Sequence, residues 1–344
     1  MFIRKITKLA LFEPEMHHEV LEMLIGYFIE NAEIISILTQ KENVKFIDNT
    51  IRLQPKLVWQ TFGSQREDKN FIRNWISSQQ ETDLFIWITL SPAWYYFKIE
   101  KIPENSLLLI HNLYFWFDYD NHKASAFYHV KTIWHQCIYL LSYREKQKRW
   151  LSRFRYWNSL VSFQFLPSMR ILHQDSCVNP NLSVVIPGSF RKNDRDYLLV
   201  KQFIEKLPSA IEMELVFLGE KASSYAQLFI SSANKIKPQG LKLIYFNHYV
   251  PEVLFRYYML RATFLWLPLM PQRYYGGVLE KVGFSSITGG LLDAWKYQRN
   301  CFLPQWYPIP ASMIKLVLPY INVDEIINQI SAIDFMPQKK IFFE

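Results

Sequence analysis

Three loops in the second half of this sequence carry residue types suited to a phosphorylated, nucleotide-like ligand. In Pro187-Gly188-Ser189-Phe190-Arg191-Lys192, a glycine and two consecutive cations stand between an apolar run and a helical pattern. The glycine lets the backbone approach a ligand, and the paired cations can neutralise a diphosphate. A plain strand-to-helix turn with solvated charges also fits this spacing. In Ser285-Ser286-Ile287-Thr288-Gly289-Gly290, small hydroxyl and glycine residues lead into a helix carrying Asp293. Such helix starts expose unpaired N–H groups which, with the helix dipole, attract phosphate. The competing reading is a helix simply capped by Ser286 or Thr288. The third loop, Phe246-Asn247-His248-Tyr249-Val250-Pro251, can set the backbone of Val250 and the ring of Tyr249 beside a nucleobase, or serve as an ordinary connection.

These loops need a scaffold that brings strand ends together, and the apolar periodicity describes one. Lys8 to Pro14 reads as a buried strand, the stretch with Val20, Met23, Leu24, Tyr27 and Phe28 as a helix, and Glu33 to Thr39 as a second strand. Val44 to Ile47, Leu57 to Thr61, Leu84 to Leu90 and Leu107 to Asn112 are further strand candidates, and His122 to Leu160 reads as largely helical. After Pro167 and a polar run from His173 to Asn181, the alternation resumes. Leu182 to Ile186, Glu214 to Leu218, Leu241 to Phe246, Phe264 to Leu269 and Cys301 to Leu303 read as strands. Asp194 to Leu207, Ser223 to Ile236, Pro251 to Arg261 and Gly290 to Tyr297 read as helices. Near-continuous apolar strands alternating with helices specify parallel sheets covered on both faces. The expected organisation is two α/β domains, residues 1–170 and 171–344.

The order of these pieces resembles the C-terminal half of the GT-B glycosyltransferases that use nucleoside-diphosphate sugars. Val185-Ile186-Pro187-Gly188 is similar to the family's opening strand and loop, and Val216-Phe217-Leu218-Gly219 to its next strand end. Tyr249-Val250-Pro251-Glu252 is similar to the nucleobase turn, and Phe264-Leu265-Trp266-Leu267-Pro268 to the strand before the donor loop. Asp293-Ala294 with Asn300-Cys301-Phe302-Leu303-Pro304 resembles the Glu-Ala helix and following strand. The resemblance covers roughly residues 182–330. It implies two Rossmann-like domains facing across a cleft, an N-terminal acceptor domain and a C-terminal donor domain. It also implies hexosyl or N-acetylhexosaminyl transfer from a UDP- or GDP-linked sugar to a glycan, lipid-linked or other hydroxyl acceptor. Gly188, Ser189, Arg191, Lys192, Tyr249, Val250, Ser286, Thr288, Gly289, Gly290 and Asp293 would hold the donor. Many retaining members carry two glutamates eight positions apart on this loop and helix. Here those positions read Ser285 and Asp293, which leaves retention and inversion both open. In the first half, where the resemblance is loose, loops after strands would supply His111, and Glu13 or His17, to orient or deprotonate an acceptor hydroxyl. A histidine satisfied beside the aromatics of 114–117, and helix-start acids that merely suit the dipole, are the plainer readings.

Composition narrows the alternatives. The 344 residues carry a formal charge of +8 with 17% aromatic residues, so an anionic partner is expected. The cations concentrate in Tyr143 to Trp157, where Arg144, Lys146, Lys148, Arg149, Arg153 and Arg155 surround Trp150, Phe154 and Trp157. Read as a helix, this suits an anionic membrane surface, or a solvated surface whose aromatics pack inward. No nucleic-acid recognition motif accompanies it, and nucleic acid is not expected as a partner. Three scattered cysteines and eight histidines show no metal-ligand spacing, so no metal or other cofactor is expected. No apolar run is long enough to span a bilayer, and Met1 to Leu11 lacks a signal-peptide pattern. The expected location is cytoplasmic, with peripheral attachment to the inner membrane face as an option. A non-catalytic partner subunit, a sugar-nucleotide epimerase of the same fold and, from a different class, a nucleic-acid-binding protein are the rival functions.

Overall fold

A computed structural model describes residues 6–15, 17–89, 99, 102–110, 155–158, 182–221, 223–275, 278–286 and 288–332. The chain divides into two compact units, Met1–Arg170 with Gly276–Val278, and Ile171–Tyr275 with Leu279–Glu344.

The first unit is built on six parallel strands: β1 (Ile6–Glu13), β2 (Ala32–Gln40), β3 (Leu57–Phe62), β4 (Leu84–Trp87), β5 (Ser106–Ile110) and β6 (Arg155–Asn158). Their spatial order is β3-β2-β1-β4-β5-β6. This is the Rossmann order, whose switch point lies between β1 and β4. β1 is buried along most of its length because helices cover both faces: Leu9, Ala10, Leu11 and Phe12 are inaccessible. Between β1 and β2 runs α1 (His18–Phe28). The short α2 (Lys41–Val44) and α3 (Asn49–Arg52) precede β3. α4 (Lys69–Ser78) buries Ile72, Trp75 and Ile76, at helical spacings of three and four, against the sheet. Phe12 and Trp87 meet edge to face at 5.2 Å, which locks the centres of β1 and β4 together.

The second unit repeats the plan. Its parallel strands are β7 (Leu182–Ile186), β8 (Met213–Glu220), β9 (Leu241–Phe246), β10 (Phe264–Trp266), β13 (Asn300–Pro304) and β14 (Val317–Tyr320), and a two-stranded sheet of β11 (Gln272–Tyr275) and β12 (Val278–Lys281) stands apart. The order β14-β13-β10-β7-β8-β9 is again the Rossmann order, with the switch point between β7 and β10. Alternate residues of β7 feed opposite cores. Val184 and Ile186 pack with α5 (Tyr197–Lys206), α6 (Ser224–Ile236) and α9 (Val323–Ser331). Val185 packs with α7 (Glu252–Arg261) and α8 (Gly289–Lys296). Two Rossmann-like domains in one chain are therefore what the strand pattern produces.

Two expectations are corrected. Val44 to Ile47 is not a strand, because α2 ends there. Asn43 donates to Thr39 Oγ1 at 2.8 Å and also to the carbonyl of Glu15, bonds that favour a turn over a sheet ladder. Arg155 and Trp157 belong to β6, not to a helix, and Leu107 to Ile110 of β5 pair with Arg155 to Asn158. Arg-Tyr-Trp-Asn is aromatic enough for a strand once an edge is available. The rest of Tyr143 to Trp157, including Arg144, Lys146, Lys148, Arg149 and Arg153, lies outside the described residues. Among the described residues no helix is long and apolar enough to cross a membrane.

Candidate functional site

In the second unit, the loops after β7 and β10 are joined at the switch point. Pro187 follows β7, and Gly188 turns the chain with φ +89°, a conformation that side chains disfavour. β8 comes close beneath: a Cβ on Gly219 would stand 2.5 Å from the Gly188 carbonyl oxygen and 2.6 Å from Phe190 N. Phe190 anchors the loop by stacking on Tyr197 at 4.3 Å, while Ser189, Arg191 and Lys192 remain exposed. Arg191 stands 3.9 Å from Asp194, and Lys192 lies over the Tyr225 ring at 5.7 Å. Arg195 turns back and donates through Nη2 to Pro187 O at 3.0 Å. Its backbone bridges to Leu269, and Asp196 N donates to Pro268 O at 2.7 Å. Burial lowers the pKa of the Arg195 guanidinium, opposed by the charges of Asp194 and Asp293 and reinforced by Arg273. Asp293, half-buried on α8, thus lies within the field of the loop after β7.

α8 starts without a side-chain cap. Thr288 is its N-cap residue and its hydroxyl makes no capping bond, and Ser286 Oγ is buried without a hydrogen-bond partner among the described residues. Capping therefore does not account for this Ser/Thr/Gly stretch, and the first N–H groups of α8 remain available to an anion. The two glycines differ. Gly290 is packed so closely that a Cβ would collide with the Leu267 side chain, whereas a Cβ on Gly289 would meet nothing within 4 Å. Beyond edge strand β9, Tyr249 is 64% exposed, while the Val250 side chain is buried in the core and leaves only its backbone for a ligand.

Sequence reasoning missed Glu280. This fully buried carboxylate on β12 accepts a hydrogen bond from Ser285 Oγ, so a glutamate does stand beside Ser285. The eight-residue spacing pointed to the serine, and nothing local marks position 280.

In the first unit, Glu13 ends β1 at the switch point. Its side chain is inaccessible, Oε1 accepts from Glu15 N at 2.7 Å, and Oε2 accepts from Thr89 Oγ1 at 2.7 Å. Thr39 on β2 donates to its carbonyl at 2.9 Å. Burial pushes the Glu13 pKa up to about 7, against the nearby His17 charge and the Thr89 hydrogen bond. His17 precedes α1 with 40% of its side chain exposed, and its Nδ1 meets Glu19 Oε1 at 3.2 Å. Burial pulls the His17 pKa down, but Glu19, Glu13 and Glu15 together outweigh it and hold it at about 9. Burial would raise the Glu19 pKa, and His17 keeps it below the ordinary carboxylate value. Thr89 and Glu19 went unread in the sequence. His111 lies outside the described residues.

What fold and geometry define together is a pair of Rossmann domains, one with a phosphate-suited switch point and the other with a titratable one. No known family profile matches the chain, and no curated protein matches it. Among solved structures it is similar to the apo form of the lipopolysaccharide outer core galactosyltransferase WaaB, at 10% identity and TM-score 0.46, over 96% of this chain and 92% of that one. It is also similar to Anabaena Alr3699/HepE in complex with UDP and glucose, at 11% identity and TM-score 0.48, over 96% and 90%. E. coli heptosyltransferase WaaC with ADP is similar at 8% identity and TM-score 0.44, over 95% and 99%.

Proposed function

We propose that this chain is a glycosyltransferase that moves a hexosyl or N-acetylhexosaminyl group from a UDP- or GDP-linked donor to a hydroxyl of a glycan or lipid-linked acceptor. The observation that carries this reading is the uncapped N-terminus of α8, packed at Gly290 against Leu267, beside a loop that Leu269 joins to Arg195 at a Rossmann switch point. The N–H groups of Gly289 and Gly290, with Arg191 and Lys192, stabilise the charge that builds on the departing diphosphate. Asp293 accepts hydrogen bonds from donor hydroxyls, and the loop at Tyr249 and Val250 meets the base. In the first unit His17 is the exposed member and donates a hydrogen bond to the acceptor. Glu13, with a pKa matched to neutral pH, takes the acceptor proton when Oε2 exchanges the Thr89 hydroxyl for the acceptor hydroxyl. Arg144, Lys146, Lys148, Arg149 and Arg153 support an acceptor met at an anionic membrane surface.

Calorimetric titration with UDP-, GDP- and dTDP-sugars tests the reading. Binding of one of these, weakened by Gly289→Ala, is the expected outcome. Failure of every nucleotide sugar to bind overturns it.

A further inference from the structure

Beyond the donor loops, the carboxyl edge of the second sheet holds a cavity of about 580 Å³ that they do not use. It opens past the ends of β13 and β14, beside the start of α5. This volume lies in the range of small-molecule sites, and strand carboxyl ends are where open α/β sheets hold ligands.

The lining has a specific chemistry. Trp306, 40% exposed in all, lines it, and Leu269 and the buried Tyr320 supply further apolar area. Asp196 spends one carboxylate oxygen capping α5, where Oδ1 accepts from Leu199 N at 2.9 Å, and its Oδ2 remains for another donor. Gln305 is fixed by its backbone, which donates to Tyr320 O at 2.9 Å, and its exposed amide offers both a donor and an acceptor. Among the described residues no cation lines the cavity, so phosphate- or carboxylate-bearing ligands find no counter-charge there. A wholly apolar ligand would strip water from Asp196 without replacing its hydrogen bonds.

We infer that this cavity binds a neutral saccharide, with a sugar ring lying on the Trp306 indole and its hydroxyls bonded to Asp196 and Gln305. The sheet order suits it. Tyr249 lies beyond β9 at one margin, the Gly188 loop follows central β7, and the cavity lies beyond β13 and β14 at the other margin. Asp196 and Leu269, which line the cavity, belong to the segments that meet at the switch point, so the cavity adjoins it. Binding does not depend on the glycosyltransferase reading. The assignment of the bound saccharide as a participant in transfer does.

Saturation-transfer NMR on the full chain tests the site, with methyl glucoside, methyl galactoside, N-acetylglucosamine and maltotriose as probes and choline as a cationic control. At least one saccharide should receive saturation, its affinity falling about tenfold in Trp306→Ala, the equivalent of about 1.4 kcal/mol, and recovering in Trp306→Phe. Lack of transfer to all four saccharides, transfer undiminished in Trp306→Ala, or binding of choline alone overturns the inference. Titration of the same variants with UDP-sugars separates the two ideas. A saccharide held through Trp306 by a chain that binds no nucleotide sugar refutes transfer and keeps this site, and the reverse result refutes this site alone.

Discussion

Thr89 Oγ1 donates to Glu13 Oε2 at 2.7 Å, across the gap between β4 and β1 where the strand order of the first sheet reverses. With Glu15 N on the other oxygen, the bond fixes a carboxylate that burial would otherwise leave costly to ionise. Thr89→Val removes the donor and keeps the shape. Glu13 should then titrate higher, and stability at pH 8 should fall by about 1–2 kcal/mol, the cost of a buried acceptor left unmade. Thr89→Ser should restore both. Carboxyl-labelled NMR of Glu13 reads the first effect and urea unfolding the second. A Glu13 titration unmoved in Thr89→Val would remove Thr89 from this role.

The two raised pKa values predict how stability falls with pH. Stability contributed by Glu13 is present below its ordinary 4.5 and lost as pH rises through about 7. That from His17 is present below 6.5 and lost as pH rises through about 9. The wild-type melting temperature should therefore decline from pH 5 to pH 9. His17→Gln should flatten the upper part of that decline by about 1 kcal/mol, a value set by the solvent exposure of the ion pair. Glu13→Gln should flatten the lower part, be more stable than the wild type above pH 7, and lose transfer activity. A Glu13→Gln variant with undiminished turnover would exclude Glu13 as the base.

The paired glycines of α8 separate packing from ligand binding. Gly290→Ala drives a methyl group into Leu267 and should cost about 1–3 kcal/mol. Gly289→Ala meets open space and should leave stability unchanged or slightly raised. If phosphate sits at this helix start, Gly289→Ala should nonetheless weaken UDP or GDP binding. Thermal melts and calorimetry on the two variants provide the comparison. Full nucleotide affinity in Gly289→Ala would place the diphosphate elsewhere.

The cations near the Gly188 loop should divide by burial. Arg191→Ala with Lys192→Ala should leave folding intact, because both side chains are exposed, and reduce nucleotide affinity by about tenfold. Arg195→Ala should instead destabilise the unit by about 2–4 kcal/mol, because it empties a buried site and frees the Pro187 carbonyl. Asp293→Asn, isosteric and uncharged, should lower donor affinity. A crystal structure with a sugar nucleotide bound and Asp293 out of contact would show that this loop has been aligned wrongly.

The sequence by itself determined the sheets. Leu182–Ile186 was readable to the residue because a central parallel strand is almost wholly apolar, and Leu241–Phe246 because an apolar run between Gly240 and Asn247 stands out even at a sheet edge; both signals are local. It also marked Gly188 and Gly290, since a turn with positive φ and a close contact with Leu267 each restrict the residue type. Only the tertiary structure decided which loops meet. Thr89 reaches Glu13 over 76 residues because a crossover lays β4 beside β1, and no periodicity encodes that choice of neighbour. Glu280 and Trp306 look ordinary in their own segments. One becomes a buried partner of Ser285 and the other a cavity wall only through the placement of β12, β13 and β14. Side-chain patterning fixes which face of an element leaves water. The meeting of two loop ends is fixed by how whole elements pack, a property of the assembled sheet that short sequence windows do not contain.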